Sequence, residues 1–176
     1  MEGEERANVF RSAPDFEREG LAARIVGQAA GAELLGATVY ELQPGGRQAD
    51  LHAHYANEEL IVVLAGRPTL YTLEGSSELE TGDVVACLRG RRGAHRLENH
   101  ADEVARILIV STMVMPEVVE YPERPKGGGV FVMTEVPYSG APYDPDRGRL
   151  LRLFWRDDGL AIPPDDAPPV DEPASE

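Results

Sequence analysis

Two histidines separated by one residue, His52 and His54, are the side chains best suited to chemistry in this chain. Residues i and i+2 of a β-strand point to the same face, so a strand here would aim both imidazoles at one point. Glu59 follows five residues after His54, and a turn over residues 55–57 would return it to the same cavity. His95 lies 36 residues beyond Glu59 and offers a third imidazole. The sequence thus offers three imidazoles and one carboxylate as a candidate donor set.

These four side chains would form a mixed nitrogen and oxygen donor set. Such a set suits one divalent transition metal, Fe, Mn, Ni, Co, Cu or Zn, rather than Ca²⁺ or Mg²⁺. Four protein ligands on a six-coordinate ion would leave two positions open for a substrate, or for a substrate and dioxygen. The donor set does not select one of the six metals.

Other residues compete with this ligand set. Glu58 directly precedes Glu59, and a shift of one residue in register turns a strand residue to the opposite face. His100 lies in the polar segment 99–103 and is interpreted as a solvated side chain. His52 and His54 could also be ordinary surface histidines on an edge strand. From the residues alone, either glutamate could supply the carboxylate.

Short apolar runs separated by turn signals predict an all-β domain. Glycine, proline and polar clusters such as residues 44–46, 66–68 and 74–77 mark the turns. Strands are predicted at 23–26, 35–42, 60–64, 69–73, 78–80, 84–88, 105–113, 116–121, 130–134 and 150–155. Several short strands at this spacing are typical of a sandwich or barrel.

Charge and composition exclude several classes of protein. Lysine and arginine number 17 and aspartate and glutamate 31, which gives a net charge of −14. A chain this acidic repels phosphate backbones and anionic membranes, so we expect neither a nucleic acid nor a membrane partner. Cys87 is the only cysteine and allows no internal disulfide. Without a signal peptide or an apolar span, a cytoplasmic location is expected.

The segment GRQADLHAHYANEELIVVLAG resembles the first cupin motif, G-x5-H-x-H-x4-E-x6-G. The match holds at every defined position: Gly46, His52, His54, Glu59 and Gly66. The second cupin motif, G-x5-P-x-G-x2-H-x3-N, is matched in part, by Gly82, Gly90, His95 and Asn99. The chain departs from that motif twice. Leu88 replaces the proline, and four residues instead of two separate Gly90 from His95.

This resemblance implies a small, single-domain bacterial cupin with a double-stranded β-helix, or jelly-roll barrel, and irregular terminal extensions. The expected boundaries are a lead-in packing on the barrel at 1–31, the barrel core at 32–115 and extension strands at 116–162. Residues 163–176 carry many prolines and acids and no positive charge, so a disordered tail is expected there. The resemblance also implies a homodimer and the metal ligands His52, His54, Glu59 and His95.

The function implied is that of a metal-dependent enzyme acting on a small organic molecule, of oxygenase, isomerase or decarboxylase type. No catalytic acid or base is identified, although Glu58 or Tyr55 could serve as a general base if it faces inward. Catalysis itself is left open. The alternative is a non-catalytic module that binds a small sugar or carboxylate and holds a structural metal. A weaker alternative is a barrel that the metal only stabilises.

A cluster of arginines lies beside His95 and is a candidate substrate-binding region. Arg89, Arg91 and Arg92 could bind a carboxylate or phosphate through their guanidinium groups. They could equally belong to a solvated loop that pairs with surface acids. Tyr55, next to the histidine pair, is a further candidate contact to substrate, or else a packing residue.

Overall fold

Short runs rich in apolar and β-branched residues form the strands of two layers of antiparallel sheet. In the strand Ala105–Thr112, residues Ala105, Ile107 and Ile109 are buried while their neighbours are partly exposed, as expected when one face of a strand covers a core. The computed structural model describes residues 6–11, 13–123, 129–133 and 151–154, and every statement below concerns these residues. No helix among them is long and apolar enough to span a membrane.

The first layer is a six-stranded sheet in the order β1-β2-β3-β10-β5-β8. Its strands are β1 (Phe16–Arg18), β2 (Leu21–Arg24), β3 (Leu35–Leu42), β5 (Glu59–Ala65), β8 (Val84–Cys87) and β10 (Ala105–Thr112). A short helix, α1 (Val26–Ala29), lies between β2 and β3. The longest strands, β3 and β10, pair along their whole length, so the register of the sheet is well defined.

Two smaller sheets form the second layer. One has the order β13-β12-β11-β4 and the other β7-β6-β9. Their strands are β4 (Ala53–His54), β6 (Thr69–Thr72), β7 (Gly75–Glu78), β9 (Arg96–Glu98), β11 (Glu117–Tyr121), β12 (Gly129–Met133) and β13 (Leu151–Phe154). An antiparallel bridge between His52 and His95 joins the two sheets. The backbone thus brings two of the predicted ligands side by side.

The hydrophobic core fills the space between the two layers. Its largest fully buried members come from both layers: Leu42, Ile61 and Ile107 from the six-stranded sheet, and Leu97 from β9. A second cluster of Leu51, Ala53 and Ala94 packs beside the histidine bridge. The all-β barrel predicted from the sequence is therefore confirmed.

The structure corrects several details of the predicted strands. The strand predicted at 78–80 is Gly75–Glu78, because an exposed Gly-Ser-Ser run gives no apolar alternation to indicate it. The very short strands β1, β4 and β9 were not predicted. The acidic segment 163–176 and most of 134–162 lie outside the described residues.

A partly buried cluster of one carboxylate and two arginines links three adjacent strands of the first layer. Glu41 on β3 accepts hydrogen bonds from Arg106 Nε on β10 at 2.7 Å and from Arg24 on β2 at 3.1 Å. Partial burial by itself would raise the pKa of Glu41. The hydrogen bonds and charges of Arg106 and Arg24 outweigh it, so this pKa lies below its ordinary value of 4.5.

We predict that Glu41→Gln lowers stability at neutral pH and has progressively less effect in acid. The carboxyl has a lower pKa folded than unfolded, so its contribution is present above the unfolded pKa and is lost as the pH falls through the folded pKa. Urea unfolding of wild type and variant, from neutral pH to below 4.5, measures the difference. A difference that stays constant over this range would contradict the assignment.

Candidate metal centre

The histidine pair lies where the two sheets of the second layer meet. His54 belongs to β4 and pairs with Val119 of β11, while His52 pairs with His95 through hydrogen bonds in both directions. The ring centroids of His52 and His95 are 4.6 Å apart, and those of His52 and His54 are 5.0 Å apart. Backbone pairing therefore gathers all three imidazoles on one wall of the barrel.

Glu59 reaches the same point from the opposite layer. It is the first residue of β5, and its Oε2 lies 3.0 Å from His95 Nε2 and 3.4 Å from His54 Nε2. One ligand atom each from His52, His54 and Glu59 fall within 4.8 Å of one another. The structure thus brings the four predicted ligands together, with His95 joined to the group through Glu59.

The outer nitrogen of each imidazole faces an acceptor. His52 Nδ1 lies 2.8 Å from the carbonyl of Asp50, and His95 Nδ1 lies 3.0 Å from that of Gly93. His54 Nδ1 lies 3.4 Å from Oε2 of Glu117, a charged contact without hydrogen-bond geometry. An acceptor at Nδ1 holds a proton there and leaves the Nε2 lone pair for a ligand.

The inner atoms are left without hydrogen bonds. Glu59 Oε2 and His95 Nε2 are buried, and the structure gives neither a hydrogen bond of acceptable geometry. Buried polar atoms in this condition are costly and uncommon. A cation between them would satisfy both, so the donor set fits a divalent transition metal held by His52, His54, Glu59 and His95.

Burial and mutual charge set the protonation of the centre. Burial, together with the charges of His95 and His54, lowers the pKa of His52 to about 4, so this ring is neutral at physiological pH. Burial alone would raise the pKa of Glu59, but the close contact with His95 and the charges of the neighbouring imidazoles lower it. Burial opposes protonation of His95, yet contacts with Cys87 and Glu59 raise its pKa. Glu59 is therefore an anion before any cation arrives.

The two competing residues lie elsewhere. Glu58 is exposed, and its backbone N–H donates to Thr112 Oγ1. His100 is exposed, with its Nε2 2.8 Å from the hydroxyl of Tyr71 and 3.2 Å from Glu98. Register in β5 therefore directs Glu59, and not Glu58, toward the imidazoles.

The extra residues before His95 form a compact turn. Gly90 has a φ of 79°, its N–H donates to the carbonyl of His54 at 2.7 Å, and a 3-10 turn follows at Arg91–Gly93. A Cβ on Gly93 would lie 1.7 Å from the carbonyl oxygen of Leu88, so the turn requires glycine there.

Two of the candidate substrate contacts converge on Glu120 of β11. Arg91 donates to its Oε1 at 2.7 Å and the hydroxyl of Tyr55 donates to its Oε2 at 2.8 Å. Glu120 and Glu117 are three residues apart on one strand, so they point to opposite faces. Glu117 faces the imidazoles, which places the Arg91 and Tyr55 contacts on the outer face. Arg89 and Arg92 are exposed.

Glu117 is a site residue that sequence reasoning missed. It is fully buried, and it accepts hydrogen bonds from the backbone N–H groups of Tyr55 and Ala56 and from the side chain of Asn57. Burial would raise its pKa, but His54, Ala56 and Asn57 lower it. The sequence feature that could have identified Glu117 is an acidic residue at an inward-facing position of the largely apolar run EVVEY. Tyr121, on the same face, stacks on His52 at 5.8 Å.

Comparison with known proteins agrees with this fold. Residues 38–111 match the family model described as the cupin domain. None of the curated proteins matches the sequence. A sugar phosphate isomerase from a cupin superfamily, from Silicibacter pomeroyi DSS-3, is 23% identical with a TM-score of 0.63, over 73% of this chain and 83% of that one. The polyketide cyclase RemF from Streptomyces resistomycificus is also 23% identical, with a TM-score of 0.53, over 78% and 89%.

At these identities the likeness to solved structures concerns the fold alone. The fold, the matched family model and the two motifs agree, however. Residues 38–111 therefore match the cupin domain, and this segment contains all four predicted ligands.

We predict that His52→Ala or His54→Ala greatly weakens metal binding. Sharing a binding energy of about 10–16 kcal/mol among four ligands gives about 2.5–4 kcal/mol each, a loss on the order of 100- to 1,000-fold. Zn²⁺ affinity measured by competition with a chromophoric chelator gives the value. His100→Ala is the matched control and should bind as wild type does. Loss of metal in His100→Ala with retention in His95→Ala would refute the ligand set.

Proposed function

We propose that this cupin binds one divalent transition metal through His52, His54, Glu59 and His95 and is a metal-dependent enzyme for a small organic molecule. Oxygenase, isomerase and decarboxylase chemistry are the classes it would serve. The observation that carries the proposal is the convergence of three imidazoles and a carboxylate, in which the buried atoms Glu59 Oε2 and His95 Nε2 lack hydrogen bonds.

The residues of the chain would prepare this centre in three ways. Asp50, Gly93 and Glu117 orient the imidazoles from behind. Glu59 supplies a negative charge that lowers the net charge of a bound dication. A metal held here would supply Lewis acidity and a meeting point for substrate and dioxygen. The surrounding apolar side chains keep the dielectric low, which strengthens every charge interaction inside.

The test begins with protein purified from its own host. Elemental analysis identifies the metal, and chelation followed by re-addition of that metal asks whether turnover depends on it. The substrate panel contains sugar phosphates, carboxylates and small aromatic compounds, each with and without dioxygen. Metal-dependent turnover that disappears in His54→Ala supports an enzyme. Stoichiometric metal with tight ligand binding and no turnover would refute catalysis.

One observation favours the alternative, a non-catalytic binding module. Among the described residues, the two acids beside the imidazoles are Glu59, a proposed ligand, and Glu117, whose oxygens already accept several hydrogen bonds. Neither is available as a general base for a substrate. Catalysis here would therefore rely on the metal or on groups of the substrate itself, and a binding role would need neither.

We also propose that Arg89 and Arg92 help to bind an anionic ligand, since both are exposed near the turn that leads to His95. Arg91 would contribute only if it released Glu120. The net charge of −14 repels anions at long range, but salt screens this repulsion beyond about 8 Å. A local pair of guanidinium groups can then still bind a carboxylate or phosphate.

We predict that a matching anion stabilises the metal-loaded protein by about 2.7 kcal/mol at a hundredfold excess over Kd. Thermal shift measurements with carboxylates and sugar phosphates measure this, and the double variant Arg89→Ala, Arg92→Ala should lose the shift. Arg67→Ala is the control, because Arg67 is an exposed cation on the β5–β6 turn that pairs with Glu78. An equal shift in all three proteins would rule out the arginine loop.

We also propose that the protein is a homodimer, that it is located in the cytoplasm and that it does not bind nucleic acid. Leu60 and Val84, on the adjacent strands β5 and β8, are 40% and 57% exposed. Exposed apolar side chains on neighbouring strands of one sheet favour association with a second copy. Sedimentation velocity measures the oligomeric state, and a monomer at all protein concentrations would refute the proposed homodimer.

A further inference from the structure

Glu117 is an unusual residue to find behind a metal ligand. It opens β11, lies outside the matched cupin domain at 38–111, and is fully buried. A buried carboxylate is stable only when other groups compensate its charge. The groups that do so connect β11 to the segment between His54 and Glu59.

Four hydrogen bonds hold the carboxylate of Glu117 in place. Oε1 accepts from the backbone N–H groups of Tyr55 at 3.1 Å, Ala56 at 3.0 Å and Val118 at 2.7 Å. Oε2 accepts from the side chain of Asn57. With these contacts the carboxylate has little freedom to rotate, and its Oε2 stays 3.4 Å from His54 Nδ1.

Asn57 secures the other end of the arrangement. Its Oδ1 accepts from the N–H of Val114 at 2.7 Å and from Thr112 Oγ1 at 3.1 Å, and its Nδ2 also donates to the carbonyl of Val114 at 3.0 Å. The turn before Glu59 is thereby attached to the end of β10 and to the segment that leads into β11. His54, Glu59 and Glu117 therefore keep their relative positions.

His54 differs in this respect from the other two imidazoles. His52 and His95 face neutral backbone carbonyls through Nδ1, whereas His54 faces an anion. The contact of 3.4 Å lacks hydrogen-bond geometry, so Glu117 acts on the ring through its charge. A carboxylate this close to Nδ1 favours the tautomer with the proton on Nδ1 and the lone pair on Nε2, and makes Nε2 a stronger donor to a metal.

We infer that Glu117 is a positioning residue that selects the metal-binding tautomer of His54 and raises its affinity for the cation, so that the centre depends on a strand outside the cupin motifs. This inference rests on the proposed metal-binding function. It assigns Glu117 no contact with the metal or the substrate.

The first test compares Zn²⁺ affinity in Glu117→Gln and wild type by competition with a chromophoric chelator. Glutamine keeps the size of the side chain and removes the charge, and we expect roughly 10- to 100-fold weaker binding. Glu120→Gln is the matched control, because it removes the same charge from the outer face of the same strand, and its affinity should be unchanged. Thermal melting of each variant reports whether it folds.

A second measurement needs no variant. In ¹⁵N-histidine-labelled wild type loaded with Zn²⁺, the His54 ring should carry its proton on Nδ1, protected from exchange with water, and bind through Nε2. An unprotonated or rapidly exchanging Nδ1 would overturn the inference, even if Glu117→Gln failed to fold.

The two failures can be told apart. Wild type that does not bind Zn²⁺ would refute the proposed metal function. Wild type that binds Zn²⁺ with the same affinity as a folded Glu117→Gln would refute only the role of Glu117. A similar loss of affinity in Glu120→Gln would also refute it, because the effect would then be one of overall charge.

Discussion

A carboxylate buried against three imidazoles is the interaction on which the rest of the structure depends. Glu59 extends from the six-stranded sheet and the histidines from the opposite layer, so the site exists only while both layers hold their register. An unpaired carboxylate in a barrel interior would be strongly destabilising. The surrounding features, from the His52–His95 bridge to the outer acceptors of each ring, place compensating groups within reach.

The part of this arrangement that depends on local pattern could be predicted from the sequence. Alternation along a strand puts His52 and His54 on one side, and the spacing of the cupin motif distinguishes Glu59 from Glu58. The long strands β3, β5 and β10 are indicated by runs of seven or eight residues rich in apolar and β-branched side chains. These signals require only neighbouring residues, and the cupin resemblance added the partner His95 and the barrel topology.

What escaped prediction depends on contacts between distant parts of the chain. Glu117 meets His54 across more than sixty intervening positions, and nothing near either residue indicates the other. The strand β4 has two residues, too few for a period to show. The pairing of Arg91 with Glu120 also joins segments whose proximity follows from the fold. Such contacts become visible only when the order of strands within each sheet is known.

The 3-10 turn before His95 affects how related proteins can be recognised by a sequence motif. The turn takes up two additional residues, yet its ends are anchored at Gly90 on the His54 carbonyl and at His95 on His52. Because both ends are anchored and Gly93 relieves the crowding at Leu88, this turn accommodates the two additional residues without displacing His95. A search that counts residues from glycine to histidine would discard this chain, whereas one that measures the distance between the anchors would keep it.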